Sequence, residues 1–197
     1  MTLFPMAEGN TWVYDAEIAS YLGQKVLAQA EGEIIFKMSD VKQTPEGTQG
    51  IVTVTQGDTM MGQSTWVLNP SGLVQTTGGL KNVPFSVPEP TLKFPIDKNP
   101  LLTWSNSGEM PDGTTGTQTG RTEVTLAPQI DTAVTTVSGV SSTATSHFKT
   151  KTNEGVETTT TWFQPGVGIV RLVQSTRVGQ RVNSTTIRLK SWTVQHS

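Results

Sequence analysis

Few residues in this chain have the types and spacing to do chemistry. Two carboxylate pairs, Asp15/Glu17 and Glu31/Glu33, place acids two positions apart, so on an extended strand both members of a pair face one side. Paired carboxylates can perform general acid–base work or hold a divalent cation. Neither pair has the dense oxygen-ligand spacing of a calcium loop, and alternating charges on a solvated strand face explain them more simply, with Arg188 and Lys190 as partners across strands. There are two histidines, His147 in the polar run STATSHFKTK and His196 next to the last residue. A Ser–His–Asp triad assembles in space, yet no Gly-x-Ser-x-Gly motif is present. The GVG at 166–168 lacks the third glycine and the following helix of a dinucleotide fingerprint. The chain has no cysteine, which removes disulfides, thiolate catalysis and Cys-based zinc sites. No catalytic residue, metal site or cofactor is assigned on this pattern.

The aromatic residues offer a different chemistry. Trp12, Trp66, Trp104 and Trp162 each follow a threonine. Each ring can bury a large apolar area in a core, or form a platform that stacks on sugar rings or acyl chains. These four are the candidate ligand-binding residues. Thr158 and Thr160 in ETTTTW share one strand face, but two residues are too few for an ordered threonine array.

The elements that must position these side chains are strands. Hydrophobic residues are 34% and charged residues 15% of the 197-residue chain, and threonine fills much of the deficit at about one residue in six. Richness in Thr and Val favours strands, and five tryptophans with alternating apolar runs argue against disorder. In TWVYDAEIASYL the residues Trp12, Tyr14, Ala16 and Ile18 alternate with Val13, Asp15, Glu17 and Ala19, the period of a half-buried strand. Similar runs recur to the end, separated by Gly, Pro, Asn and Asp. In RVNSTTIRLKSWTVQH, Ile187 and Leu189 share one parity and Trp192 and Val194 the other, so a bulge is expected near Lys190–Ser191. A short helix competes only in ASYLGQKVLAQAEGEI, where Gly23 and Gly32 weaken it.

Two phrases match, TWVLNPSGLV at 65–74 and TWFQPGVGIV at 161–170. Asn69-Pro70-Ser71-Gly72 suits a type I turn and Pro165-Gly166 the centre of a type II turn, so both read as hairpins whose Trp rings face a common core. LFPMAEGNTW at 3–12 and KFPIDKNPLLTW at 93–104 also match, and the spacing from Trp12 to Trp66, 54 residues, is close to the 58 from Trp104 to Trp162. One domain spanning 1–197 is expected, built as a pseudo-repeat of about 3–80 and 92–197 that pack their apolar faces together. The Pro-rich connector at 81–91 reads as stiff and extended. Residues 105–120, almost without apolar side chains, read as a mobile surface loop.

The net charge is −2, so no global field attracts nucleic acid. Residues 141–197 carry seven Lys/Arg against two Asp/Glu. Either this segment lies beside the acidic first strands or it forms a basic patch for an anionic ligand; the first is expected, with 181–196 in the same sheet as 12–35. No run of 18 apolar residues exists for a transmembrane helix, and MTLFPMAEGN has no signal-peptide pattern.

The opening FPMAEGNTWVYD, through Phe4, Pro5, Gly9, Trp12 and Tyr14, together with TWFQPGVGIVRL, through Trp162, Phe163, Pro165, Gly166, Val167 and Gly168, resembles bacterial exported lipoprotein-type all-β domains. The resemblance extends to lipoprotein-carrier half-barrels. It implies a curved antiparallel sheet around an apolar cavity and a location outside the cytoplasm, with a leader absent from this sequence. It transfers no functional residue, because the matching motifs are turns and packing positions. This chain lacks the amphipathic helices that close the cavity in the carriers.

The expected fold is all-β, an antiparallel β-barrel or strongly curved sheet made of two related halves. The expected function is a non-enzymatic, extracytoplasmic or envelope-associated module that binds a lipid or other hydrophobic small molecule. A structural or interaction scaffold with a packed core is the alternative, and a hydrolase the third.

Overall fold

The structure, a computed structural model, describes residues 3–96, 101–109 and 114–195. Twelve strands run along the chain: β1 Thr11–Leu22, β2 Lys25–Thr44, β3 Gly47–Gln56, β4 Thr59–Asn69, β5 Gly72–Gly78, β6 Val83–Lys93, β7 Leu102–Glu109, β8 Thr115–Asp131, β9 Thr136–Thr150, β10 Glu154–Gln164, β11 Gly168–Val178 and β12 Arg181–Thr193. Among the described residues there is no α-helix; the segment around Gly23 is the β1–β2 hairpin, with Gly23 at φ 60° in its turn. Every sequential pair from β1 to β6 and from β7 to β12 is antiparallel, and β1 also pairs with β12. The spatial order is therefore β6-β5-β4-β3-β2-β1-β12-β11-β10-β9-β8-β7.

This one sheet curls until its edges meet. The backbone N–H of Ser107 in β7 donates to Ser86 Oγ in β6 at 2.8 Å, and a Cβ on Gly108 would stand 3.1 Å from the Phe85 ring. No backbone ladder joins β6 to β7 among the described residues, so the barrel is nearly closed, with one seam. The stretch expected as a connector supplies that seam. Proline cannot donate to a ladder and is tolerated at a sheet edge, which lets Pro84, Pro88 and Pro90 stand within β6.

The pairing of the terminal strands agrees with the charge pattern. Register neighbours include Trp12↔Trp192, Asp15↔Arg188 and Ala16↔Ile187. The register slips between Val13↔Ser191 and Tyr14↔Leu189, leaving Lys190 as the bulged residue. From that bulge its Nζ lies 3.2 Å from Glu33 and 3.4 Å from Asp15, and Arg188 reaches Glu17 at 2.6 Å. The hydrogen bonds to Glu33 and then Asp15 raise the pKa of Lys190. The basic end of the chain is thus largely neutralised on the outer face, and the acidic pairs are engaged there.

Residues 105–120 overturn the loop expectation. Residues 105–109 lie in β7 and 115–120 in β8, paired Ser105↔Thr119 to Glu109↔Thr115; the expected loop's residues 110–113 fall outside the described residues. The segment has no apolar alternation because its inner face is itself polar: Asn106 and Gln118 are buried. Threonine favours the pleated conformation regardless.

The core is concentrated at one end, where the N-terminal segment tucks under the barrel. Phe4 stacks on Trp12 (centroids 5.7 Å, planes 8° apart), tilts against Trp66 at 5.6 Å and meets Phe163 edge-on at 6.4 Å. The Trp12 indole N–H donates to Val167 O at 2.5 Å and the Tyr14 hydroxyl to Ile169 O at 2.9 Å. Gly168 holds φ 101°, and a Cβ there would sit 3.3 to 3.4 Å from Trp12, Phe4 and Pro5. Asn10, almost fully buried, donates to Pro5 O at 3.0 Å and accepts from the Gln195 N–H at 2.7 Å, binding both ends of the chain to the base.

Trp192, the ladder neighbour of Trp12, is 45% exposed, whereas Trp12 is 1% exposed. Trp12→Ala is expected to destabilise the fold by about 3–5 kcal/mol and Trp192→Ala by less than about 1 kcal/mol. Urea denaturation of both variants measures the difference, and equal losses would contradict a base centred on Trp12.

Candidate ligand-binding cavity

Strand alternation sends every second residue inward, and above the base these residues leave space unfilled. A cavity of about 650 Å³ extends from Phe4 and Ile169 at its floor to Met61, Gly79 and Leu80 at its mouth, within the roughly 300–1,000 Å³ typical of small-molecule sites. Alternate turns of a meander fall at opposite ends of a barrel, so the mouth lies beside the β3–β4 and β5–β6 turns. Met60, Met61 and Leu80 are exposed there.

The walls differ in chemistry. Strands β2, β3 and β4 contribute Phe36, Val52, Val54 and Trp66. Facing them, β8, β9 and β10 contribute Gln118, Ser142, Glu157, Thr159 and Thr161. Glu89 enters from β6 and Gln75 from β5, direct neighbours across the ladder.

Glu89 and Glu157 set the electrostatics. Both line the cavity and are part-buried. Burial first, and then the charge of Glu157, push the Glu89 pKa up to about 8. Burial also raises Glu157, against the opposing hydrogen bonds from Thr176 and Gln174; Thr176 Oγ1 donates to Glu157 Oε2 at 3.0 Å. No lysine, arginine or histidine lines the cavity among the described residues. Nearby, Gln118 donates to Ser146, while Asn106 is 3% exposed with neither amide atom bonded. Asn106 is the ladder neighbour of Gln118 on the inner face of β7. Among the described residues, no group of three His, Asp or Glu is placed to hold a metal ion.

Of the four tryptophans, Trp66 lines the cavity, its indole N–H on Ser64 Oγ at 2.7 Å. Trp12 is sealed in the base. Trp104 is buried beside Gly120 and donates to Thr122 Oγ1 at 3.1 Å. Trp162 and Trp66 both pack against the core cluster, but from opposite faces of the sheet. Thr161 and Phe163 point inward, so Trp162 points outward, where the Arg171 guanidinium lies 4.9 Å above its ring. The expectation that both hairpin rings face one interior holds for Trp66 alone. His147 lies in a shallow groove with Lys149, Glu154 and Arg177 on the other side of the sheet.

Sequence reasoning passed over Glu89 and Glu157. The signal for Glu157 was present in VETTTTWF: it shares the parity of Phe163, and choosing Phe163 rather than Trp162 as the inward aromatic places Glu157 inside. Glu89 lies between Pro88 and Pro90, in a stretch whose composition reads as linker.

No family model and no curated protein matches this chain. Among solved structures, it is similar over 97% of its length, and 98% of the other chain, to a "putative lipoprotein" from Parabacteroides distasonis ATCC 8503, at 12% identity and a TM-score of 0.56. It also aligns, over 95% of its length and 98% of the other chain, with a "putative exported protein with YmcC-like fold" from Bacteroides fragilis NCTC 9343, at 11% identity and a TM-score of 0.43. At such identity the first likeness is one of fold alone: the two chains share an all-β architecture.

The buried acids have a consequence for stability. In the unfolded chain Glu89 ionises near the ordinary carboxyl value of 4.5, in the folded barrel near 8. Between these values the folded state binds more protons, so stability falls as pH rises. Thermal unfolding should show Tm declining from about pH 4.5 to about pH 8, with a smaller decline in Glu89→Gln. An unchanged slope in that variant would contradict a buried, unpaired Glu89.

Proposed function

We propose that this protein is a non-enzymatic binding module of the bacterial cell envelope that holds a hydrophobic small molecule or lipid inside its barrel. The observation that carries the reading is the cavity itself, about 650 Å³ with an aromatic floor and an apolar mouth. A scaffold filled by its own side chains would not leave such a space, since protein interiors normally pack to crystal-like density. Burying apolar ligand area against Phe36, Val54, Trp66 and Leu172 supplies the driving force, at about 25 cal/mol per Å² before the costs of association. The location outside the cytoplasm is supported by the shared fold with a protein described as a lipoprotein, and the two related halves remain part of the proposal through their matched hairpins.

The neutral dye N-phenyl-1-naphthylamine tests the site. It should bind with enhanced fluorescence and quench Trp66. Ala144→Phe, which places a ring in the cavity from β9, should weaken binding at least about tenfold, the effect of losing about 1.4 kcal/mol. Full binding by a folded Ala144→Phe variant would put the dye elsewhere and refute the cavity as the site.

A further inference from the structure

We propose that the cavity selects amphiphiles with a protonated amine head group, the ammonium seated by Glu89 and Glu157 and the apolar portion against the β2–β4 wall. The inference rests on the cavity being a binding site and names the class of molecule it takes.

The asymmetry of the walls is the first support. A purely hydrophobic ligand would leave the polar wall of β8–β10 without partners, and unpaired buried polar groups are costly. An amphiphile matches both walls at once, which is how most small-molecule sites fix orientation. The second support is the charge inventory. Glu157 is steadied by Thr176, but Glu89 has no hydrogen-bond or ion-pair partner among the described residues, and no cationic side chain faces the cavity. The cations near this sheet are used outside it: Arg188 and Lys190 pair with outer carboxylates and Arg171 lies on Trp162.

A buried acid without a counter-ion is held at a free-energy cost, which the elevated pKa of Glu89 expresses. A ligand ammonium beside Glu89 favours its ionised form, so the proton is released to solvent on binding and the pair gains charge-assisted hydrogen bonds, the strongest neutralising contact available to a carboxylate. An ammonium has three donors and no acceptor, which suits two carboxyl groups. A carboxylate head group would meet repulsion from Glu157, and a neutral alcohol would offer a single donor and no charge to the two carboxyl groups.

The test is displacement of N-phenyl-1-naphthylamine at neutral pH by octylamine, octanol and octanoate, which share one chain length. Octylamine should displace the dye at a concentration at least about tenfold lower than octanol, since hydrogen bonds to charged groups exceed neutral ones by about that factor. Octanoate should be the weakest. In Glu89→Gln and in Glu157→Gln the ratio of octylamine to octanol affinity should fall by at least about tenfold. Gln preserves the size of the side chain, and the wild-type comparison of three ligands needs no variant at all. Octanol or octanoate binding as tightly as octylamine overturns the amine selection while the cavity reading stands. Failure of the dye itself to bind overturns the cavity reading and this inference with it.

Discussion

The barrel depends on the knot at its base, where the Trp12 indole N–H reaches Val167 O. A curled sheet of antiparallel hairpins has no intrinsic reason to close at one end. Here closure comes from a segment before the first strand, whose Phe4 ring inserts among Trp12, Trp66 and Phe163. The tight turn after Gly166 brings a carbonyl to the only polar atom of the Trp12 ring, and Gly168 leaves room for three side chains to approach its backbone. The opening phrase and the late hairpin phrase are thus two faces of one contact across 155 residues. With the base fixed, burial need not continue to the other end, and the interior above it can stay open.

What that interior contains follows from how the chain divides. The strands before the seam, β2 to β4, send valine, phenylalanine and tryptophan inward. Those after it, β8 to β10, send glutamine, serine, threonine and glutamate. The low hydrophobic fraction of the chain is therefore not spread evenly. It is gathered on one inner wall, where it exchanges core packing for hydrogen-bonding capacity.

Much of the architecture was legible because strands write their burial in the sequence with a period of two. Trp12, Tyr14 and Ala16 announced their inner face, Ile187 and Leu189 theirs, and the change of parity before Trp192 placed a bulge near Lys190–Ser191, where Lys190 is the bulged residue. The opposite charges of 12–35 and 181–196 placed the termini side by side. The same rule failed where the inner face is polar. Asn106, Gln118 and Glu157 carry no apolar mark, so residues 105–120, most of β7 and the start of β8, read as loop and the acid pair read as nothing. Pro84, Pro88 and Pro90 signalled a linker because proline is excluded from central strands, and the sequence does not say that this stretch becomes an edge. Trp162 misled for a different reason: ring size alone suggests burial, but a guanidinium laid over an outward ring covers much of it as well.

The seam gives the molecule the mechanics of a split ring. Eleven ladders hold neighbouring strands around the circumference, and the twelfth junction is made of a Ser86–Ser107 bond and the contact of Phe85 with Gly108. In a fully laddered barrel, widening the bore means breaking a row of backbone hydrogen bonds together. Here no such row crosses the junction of β6 and β7 among the described residues, which leaves it to side-chain contacts. The bore is set by a clasp rather than by a weld, and the clasp lies on the strand that carries Glu89.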